Sequence, residues 1–252
     1  MIEIFLLSIV QGITEFIPIS SSAHLILLSN LLNFNSENLT IDLSLHFGSF
    51  AAIVFYFKKD IFNFLGNQKL FFLIIVSSLP TLFFGFLLIK LDFIDNLRNI
   101  KIIGWTTLIF GLILYLSDTN STKNKISSNF NLKSALIIGL IQILALVPGV
   151  SRSGITISTA RFLKFERSEA AKISFWLSIP TLGTVGAYNM QTLILTNNIT
   201  ITIDSYFAII MSFIFSLLTV KYFIKYLKKF SLLLFVIYRI ILSLIILIYV
   251  YS

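Results

Sequence analysis

Long apolar segments, separated by short polar loops, run through almost the whole sequence. An apolar segment of about 20 residues can cross the hydrocarbon core of a bilayer as a helix. Hydrophobic residues make up 57% of the chain and charged residues 12%, which excludes an ordinary soluble domain. The segments are too long, and alternate too little, for a membrane β-barrel. We therefore predict an all-α polytopic membrane protein, with one integral membrane domain over residues 1–252.

Six of the apolar segments are predicted to be full transmembrane helices. They cover residues 41–57, 70–89, 102–116, 173–190, 206–220 and 232–251.

Two further apolar segments are interrupted by a proline and then by serines. In the first, the helical spacing of Gln11 to Glu15 ends at Pro18, and Ser20 to Ser22 can cap a new helix. In the second, Pro148 is followed by Ser151 to Ser153. Each half is too short to cross a bilayer, so we favour two re-entrant helix hairpins. The alternative for the first segment is a single kinked span with a polar patch.

Basic residues are distributed unevenly between the two predicted sides of the membrane. The loops on one side hold 14 of the 19 lysines and arginines, and those on the other side hold 3. The basic loops are 58–69, 118–133, 161–172 and 221–229. The basic side is normally cytoplasmic, so both termini are predicted to lie outside. This bias explains the net charge of +8 without nucleic acid as a partner.

The predicted elements fall into two halves, residues 1–117 and 134–252. Each half is one hairpin followed by three spans, and the break at Pro18 is echoed at Pro148. Because each half crosses the membrane an odd number of times, the two halves form an inverted-topology repeat. Such repeats place their binding site near the membrane midplane.

The first hairpin carries a carboxylate inside an apolar segment. Glu15 is the only carboxylate that we predict at membrane depth, and Gln11 lies one helical turn before it on the same face. An ionised carboxylate there is costly unless it is paired or bound to a cation. Glu15 and Gln11 are therefore predicted to bind a hard divalent cation, Mg²⁺ or Ca²⁺. A structural ion pair between Glu15 and Arg152 is the alternative.

Serines cluster at the start of the second half-helix in both hairpins. Free backbone N–H groups and the positive end of the helix dipole attract anions at such positions, and the planar guanidinium of Arg152 suits phosphate. We therefore predict one phosphate-binding site between the hairpins. The predicted substrate-binding residues are Ser20, Ser22, Ser151, Ser153 and Thr156. The alternative is a plain cap for each serine, and for Thr156 a bond to its own helix backbone.

His24 follows the first serine cluster on the same half-helix, within reach of a bound anion. Its imidazole suits a nucleophile or a general acid–base. We predict that His24, Ser21, Glu15 and Arg152 carry out catalysis, but the residues do not decide whether His24, Ser21 or an activated water attacks. His46, at the start of an ordinary span, is given a structural or interfacial role.

Two stretches of the chain resemble the signature regions of a known family, the undecaprenyl-diphosphate phosphatases of the bacitracin-resistance type. They are Gln-Gly-Ile-Thr-Glu-Phe-Ile-Pro-Ile-Ser-Ser-Ser-Ala-His, from Gln11 to His24, and Pro-Gly-Val-Ser-Arg-Ser-Gly-Ile-Thr, from Pro148 to Thr156. The resemblance covers the whole chain in length and segment order. The family pattern allows Glu or Gln at the first motif position, where this chain has Gln11, and it often has Thr-Gly where this chain has Ser22-Ala23.

The resemblance implies a multi-pass enzyme of the bacterial inner membrane. It would hydrolyse undecaprenyl diphosphate to undecaprenyl phosphate, the lipid carrier for peptidoglycan and other cell-wall polymers. The resemblance also implies a divalent cation and a site lined by Glu15, Ser21, His24, Ser151, Arg152, Ser153 and Thr156. The partners of the enzyme would be this polyprenyl diphosphate and membrane lipid, and a homodimer is left open. The rival interpretation is a polyprenyl-phosphate flippase or anion transporter, because an inverted repeat with a midplane site also suits a carrier.

The predicted orientation can be tested because the chain contains no cysteine. Single cysteines at Asn197 and Lys228 would lie in loops on opposite sides of the membrane. In intact cells, an impermeant thiol reagent should label position 197 and leave position 228 unlabelled, because the basic loop is cytoplasmic. Labelling of position 228 alone would reverse the assigned orientation.

Overall fold

The structure, a computed structural model, describes residues 1–31, 39–91, 93, 97–119, 123–196 and 202–252. Residues 33–38 of the first predicted loop, and the labelling position Asn197, lie outside this part. In chain order the helices are α1 (Ile2–Thr14), α2 (Ser21–Leu31), α3 (Leu39–Tyr56), α4 (Lys58–Gly66), α5 (Gln68–Lys90), α6 (Ile100–Asp118), α7 (Ile126–Asn129), α8 (Leu132–Gln142), α9 (Arg152–Phe162), α10 (Arg167–Leu195), α11 (Ile203–Leu227) and α12 (Leu233–Tyr251).

Five of these helices, α3, α5, α6, α11 and α12, are long and apolar enough to span a membrane. A polytopic helical membrane protein is therefore confirmed. The remaining predicted span, residues 173–190, lies inside α10. This helix is long enough to cross a membrane, at 29 residues, but it is not among the five apolar helices. Ser174, Ser178 and Thr181 of α10 are buried within the protein. A helix that packs mainly against other helices does not need the continuous apolar surface of one that faces lipid.

The helix breaks predicted at the two prolines are confirmed. The first hairpin runs from α1 through a turn at residues 15–20 into α2, and the second runs from α8 through a 3₁₀ turn, Ile143–Leu146, and a bend into α9. Ser20 and Ser151 end the two turns with φ of 76° and 71°. A left-handed backbone costs a residue other than glycine roughly 1–2 kcal/mol. Each turn therefore ends in a serine with a strained, positive-φ backbone, immediately before a helix.

The first arm of each hairpin packs against a span of the other predicted half, α1 on α11 and α8 on α5. Glycines allow the close approach. A Cβ on Gly12 would lie 2.5 Å from the Cβ of Phe215 and 2.9 Å from the Ser216 nitrogen, and one on Gly139 would overlap the Ser77 carbonyl. Small residues at such crossings are typical of membrane helix pairs. The α3–α10 and α6–α12 pairs also join the halves.

Arg239 holds the two hairpin turns together. Its side chain, in α12, is completely buried. Nη1 donates to the carbonyls of Pro18 (3.2 Å) and Val150 (3.1 Å), Nη2 to that of Gly149 (2.8 Å), and Nε to that of Thr107 (3.2 Å). One guanidinium thus satisfies carbonyl groups from both turns, which would otherwise be left without partners away from water.

Replacing Arg239 should destabilise the protein more than replacing an exposed basic residue. Arg239→Met leaves several buried carbonyls unpaired, and we expect the free energy of unfolding to fall by about 3 kcal/mol or more. Arg239→Lys should be intermediate, because an ammonium cannot reproduce the planar fork. Lys221→Met, at an exposed position, is the control. Equal melting temperatures for the Arg239→Met and Lys221→Met proteins in detergent would show that the arginine does not hold the turns.

Candidate active site

The two hairpins meet at Glu15. This carboxylate, only 7% exposed, lies at the start of the first turn, and its Oε1 is 3.0 Å from Nη2 of Arg152. Its Oε2 accepts hydrogen bonds from the Ser21 hydroxyl (2.7 Å) and from Nε2 of Gln11 (3.2 Å). The two motif stretches therefore lie together, as expected from the sequence, and both carboxylate oxygens have partners.

Arg152, the first residue of α9, spreads its guanidinium between two elements. Besides the contact of Nη2 with Glu15, Nη1 donates to the Ser174 carbonyl of α10 at 3.2 Å. A planar fork that binds two acceptors at once is fixed in direction. The arginine is thus held beside the carboxylate, where its charge can serve an anionic ligand.

Gln11 connects Glu15 to a histidine that was assigned no site role from the sequence. Its Nε2 lies 3.0 Å from Nδ1 of His46 and 3.5 Å from the Ser49 hydroxyl. His46 Nε2 lies in turn 3.8 Å from the Asp42 carboxylate. The amide oxygen Oε1 of Gln11 is buried and has no hydrogen-bond partner among the residues that the structure describes. A buried oxygen of this kind can accept a cation or a water.

The serines predicted to bind phosphate are engaged mainly with each other and with the backbone. The Ser20 and Ser22 hydroxyls lie 3.3 Å apart, and those of Ser151 and Ser153 lie 3.2 Å apart. Ser151 caps α9 by accepting from the Gly154 nitrogen at 3.1 Å. Ser151 therefore acts as a helix cap, which was the alternative to phosphate binding. A role of Ser151 in binding phosphate stays a prediction.

Two further predicted residues make bonds that stabilise the meeting of the hairpins. Ser153 donates to the Ile17 carbonyl at 2.8 Å, which joins α9 directly to the first turn. Thr156 bonds the Arg152 carbonyl at 2.8 Å and the Ser174 hydroxyl at 2.7 Å. Its hydroxyl thus makes the backbone bond that was the alternative to a binding role, and it also links α9 to α10.

His24 bonds partners other than Glu15 or Arg152. Its Nδ1 lies 2.6 Å from the Ser20 carbonyl, and its Nε2 lies 2.6 Å from the Tyr238 hydroxyl. The two rings stack, with 5.6 Å between centroids and 13° between planes. The structure thus ties His24 to the first turn and to α12, and its catalytic role stays a prediction.

Sequence reasoning missed Tyr238, Arg239 and the position of His46. A signal existed for Arg239, because a basic residue in the middle of a 20-residue apolar segment indicates function or a buried partner. His46 follows Asp42 by one helical turn, and this spacing predicts the contact between them but not the contact with Gln11, which is 35 residues away.

The described fold and site define a polytopic helical membrane protein with a buried, charged site between two helix hairpins. Residues 4–245 match the family model of the bacitracin resistance protein BacA, and the chain belongs to this family. It is 50% identical to an undecaprenyl-diphosphatase of Pelagibacter ubique (strain HTCC1062), with 100% of this chain and 98% of that protein covered.

Further relatives share the same name. An undecaprenyl-diphosphatase of Jannaschia sp. (strain CCS1) is 40% identical, with 99% of this chain and 98% of the relative covered. One of Saccharophagus degradans (strain 2-40 / ATCC 43961 / DSM 17024) is also 40% identical, with 94% and 93% covered. The family resemblance inferred from the two motif stretches is confirmed.

Glu15 and Arg152 should be thermodynamically coupled. Glu15→Gln leaves the arginine without its counter-charge, and Arg152→Met leaves a buried carboxylate unpaired. The double variant has neither charge, so its loss of stability should be smaller than the sum of the single losses by about 1–3 kcal/mol. Denaturant unfolding in detergent without divalent cations measures this coupling. In the control cycle, Arg152→Met is combined with Glu3→Gln at an exposed position, and the two stability losses should add. Additive losses for Glu15→Gln and Arg152→Met would contradict the pairing.

Proposed function

We propose that this protein hydrolyses undecaprenyl diphosphate to undecaprenyl phosphate and inorganic phosphate. The observation that supports the proposal is the contact between Glu15 and Arg152, because a carboxylate beside a guanidinium, a group whose planar fork suits phosphate, lies near the starts of two half-helices. Relatives at up to 50% identity over their full length bear the name undecaprenyl-diphosphatase. The flippase or transporter alternative gains no support from these relatives.

The site would bind the diphosphate through Arg152 and the two half-helix starts. The Ser20–Ser22 and Ser151–Ser153 turns begin α2 and α9, where backbone N–H groups and the helix dipole favour anions. An incoming phosphate can replace the Glu15 carboxylate as the partner of Nη2, because phosphate accepts bidentate bonds from arginine. The polyprenyl tail of the substrate would remain among membrane lipid.

Hydrolysis forms one bond to the terminal phosphorus and breaks its bond to the bridging oxygen. Undecaprenyl phosphate leaves with that oxygen, and the attacking water gives up a proton. The 2.7 Å bond from Ser21 to Glu15 supports a carboxylate that takes a proton from a hydroxyl or water beside it. We keep His24, Ser21 and water as candidates for the attacking group.

A divalent cation would be held by Glu15 and by the buried Oε1 of Gln11, which has no partner among the described residues. Both are hard oxygen donors of the kind that Mg²⁺ and Ca²⁺ prefer. The part of the chain that the structure describes contains no group of three His, Cys, Asp or Glu side chains suited to a metal ion. The substrate and water would therefore complete the coordination. When bound, such a cation supplies positive charge to the departing phosphate oxygens.

We further propose six spans and two re-entrant hairpins in an inverted repeat, with both termini outside and the basic loops in the cytoplasm. The reciprocal packing of α1 on α11 and of α8 on α5 supports this arrangement, as do the equivalent strained serines in the two turns. The membrane would be the bacterial inner membrane.

Phosphate release from a long-chain polyprenyl diphosphate by the purified protein tests the function. We expect release with Mg²⁺ or Ca²⁺ and loss of release after EDTA, restored by adding either cation back. Glu15→Gln should abolish release while the protein stays folded, since an amide lacks the charge that holds a hard cation. No release from the folded wild-type protein under any of these conditions would refute the proposal, and release insensitive to EDTA would refute the cation.

Arg152→Lys tests the phosphate-binding arginine. Lysine keeps the charge but loses the planar, bidentate fork, so we expect turnover to fall about 100-fold or more, with the folded fraction unchanged. Arg98→Lys, at an exposed position, should retain wild-type turnover. Turnover of the Arg152→Lys protein near the wild-type value would make the arginine a purely structural residue.

A further inference from the structure

We propose that Tyr238 is a positioning residue for the hydrolysis proposed above. It fixes His24 in one ring orientation with Nε2 as the basic nitrogen, and it releases that nitrogen when a phosphate group binds. The proposal rests on the proposed function and on the hydrogen bonds that both ring nitrogens of His24 make.

The bond from Nδ1 determines the tautomer. A carbonyl oxygen can only accept, so the 2.6 Å contact with the Ser20 carbonyl requires Nδ1 to carry the proton. In the neutral ring Nε2 then has a lone pair and no proton. The Tyr238 hydroxyl, 2.6 Å from Nε2, is therefore the donor to that lone pair.

The surroundings hold both partners of His24 in place. Ser20 has a left-handed backbone, with φ of 76°, and the turn before it is bonded through the Pro18 carbonyl to Arg239. Tyr238 precedes Arg239 in α12. Two neighbouring residues of α12 thus act together. Arg239 holds the backbone turn, and Tyr238 holds the imidazole of His24.

Tyr238 is nevertheless placed where a ligand can replace its contact. Tyr238 is 41% exposed, in contrast to the completely buried Arg239, and its hydroxyl bonds His24 at 2.6 Å, so the contact is not enclosed by the protein interior. Phosphate oxygens are stronger acceptors than a neutral imidazole, because they are charged. A bound phosphate should therefore take the phenol hydrogen bond and leave the Nε2 lone pair free.

A free Nε2 serves either route that His24 could take. As a base, it accepts the proton of the attacking water while the water oxygen bonds to phosphorus and the bond to the bridging oxygen breaks. As a nucleophile, it bonds to phosphorus while the same bond breaks, and water later replaces it. Both routes need the lone pair that Tyr238 occupies in the ligand-free state.

Tyr238→Phe removes one hydroxyl and keeps the ring that stacks on His24. The matched control is Tyr249→Phe, on the same helix and 75% exposed. The probe is diethyl pyrocarbonate, which carbethoxylates an imidazole nitrogen with a free lone pair. The chain has two histidines, so mass spectrometry can follow His24 with His46 as the internal reference. We expect the rate at His24, relative to His46, to rise several-fold in Tyr238→Phe and to be unchanged in Tyr249→Phe.

The kinetic part of the test uses phosphate release. In Tyr238→Phe the bound phosphate has no phenol hydroxyl to hold it beside Nε2 of His24, so kcat should fall about tenfold. KM should stay within about twofold of wild type, because binding only exchanges one acceptor of the phenol for another, and Tyr249→Phe should keep both constants. An unchanged carbethoxylation rate at His24 in Tyr238→Phe would show that the Tyr238 hydroxyl does not occupy Nε2. An unchanged kcat of Tyr238→Phe would show that Tyr238 has no role in the reaction. The carbethoxylation measurement does not depend on hydrolysis. Failure of the proposed function would appear separately, as a folded wild-type protein that releases no phosphate.

Discussion

The buried guanidinium of Arg239 is the interaction on which the rest of the site depends. Two interrupted helices bring backbone carbonyls into the protein interior, where an unsatisfied carbonyl is costly. Arg239 donates to carbonyls of both turns, including those of Pro18 and Gly149 at 3.2 and 2.8 Å. A positive charge among these dipoles stabilises both turns in one place. Glu15 and Arg152, which belong to different hairpins, meet because the turns beside them are held there.

The geometry of the turns accounts for the placement of the chemistry. Each turn ends in a left-handed serine, at Ser20 and Ser151, and a helix begins immediately afterwards. The positive ends of two helices are thereby fixed near one carboxylate and one arginine, a combination that suits an anion together with a cation. The 2.8 Å bond from Ser153 to the Ile17 carbonyl joins the turns a second time, independently of Arg239.

The sequence was sufficient to predict the helix breaks and the meeting of the two motif stretches. Proline followed by serine limits a helix locally, and polar groups in apolar segments must find one another. The partners of Arg239 could not be predicted, because they are backbone carbonyls 221, 90 and 89 residues away and no side-chain pattern marks them. The contact between Gln11 and His46 depends on how α1 packs on α3, which spacing within either helix does not determine. The span predicted at residues 173–190 does lie inside a helix, α10. Several polar side chains of this helix are buried within the protein.

The two hairpin turns are proposed to form one diphosphate site. A cryo-electron microscopy map of the protein with a polyprenyl methylene-diphosphonate, whose bridging carbon resists hydrolysis, tests this proposal most directly. We expect density for the terminal phosphonate within hydrogen-bond distance of Arg152 and of both serine turns, with Arg239 still bonded to the carbonyls behind them. Phosphonate density that contacts only one hairpin, or that lies away from Arg152, would show that the two turns do not form a shared site.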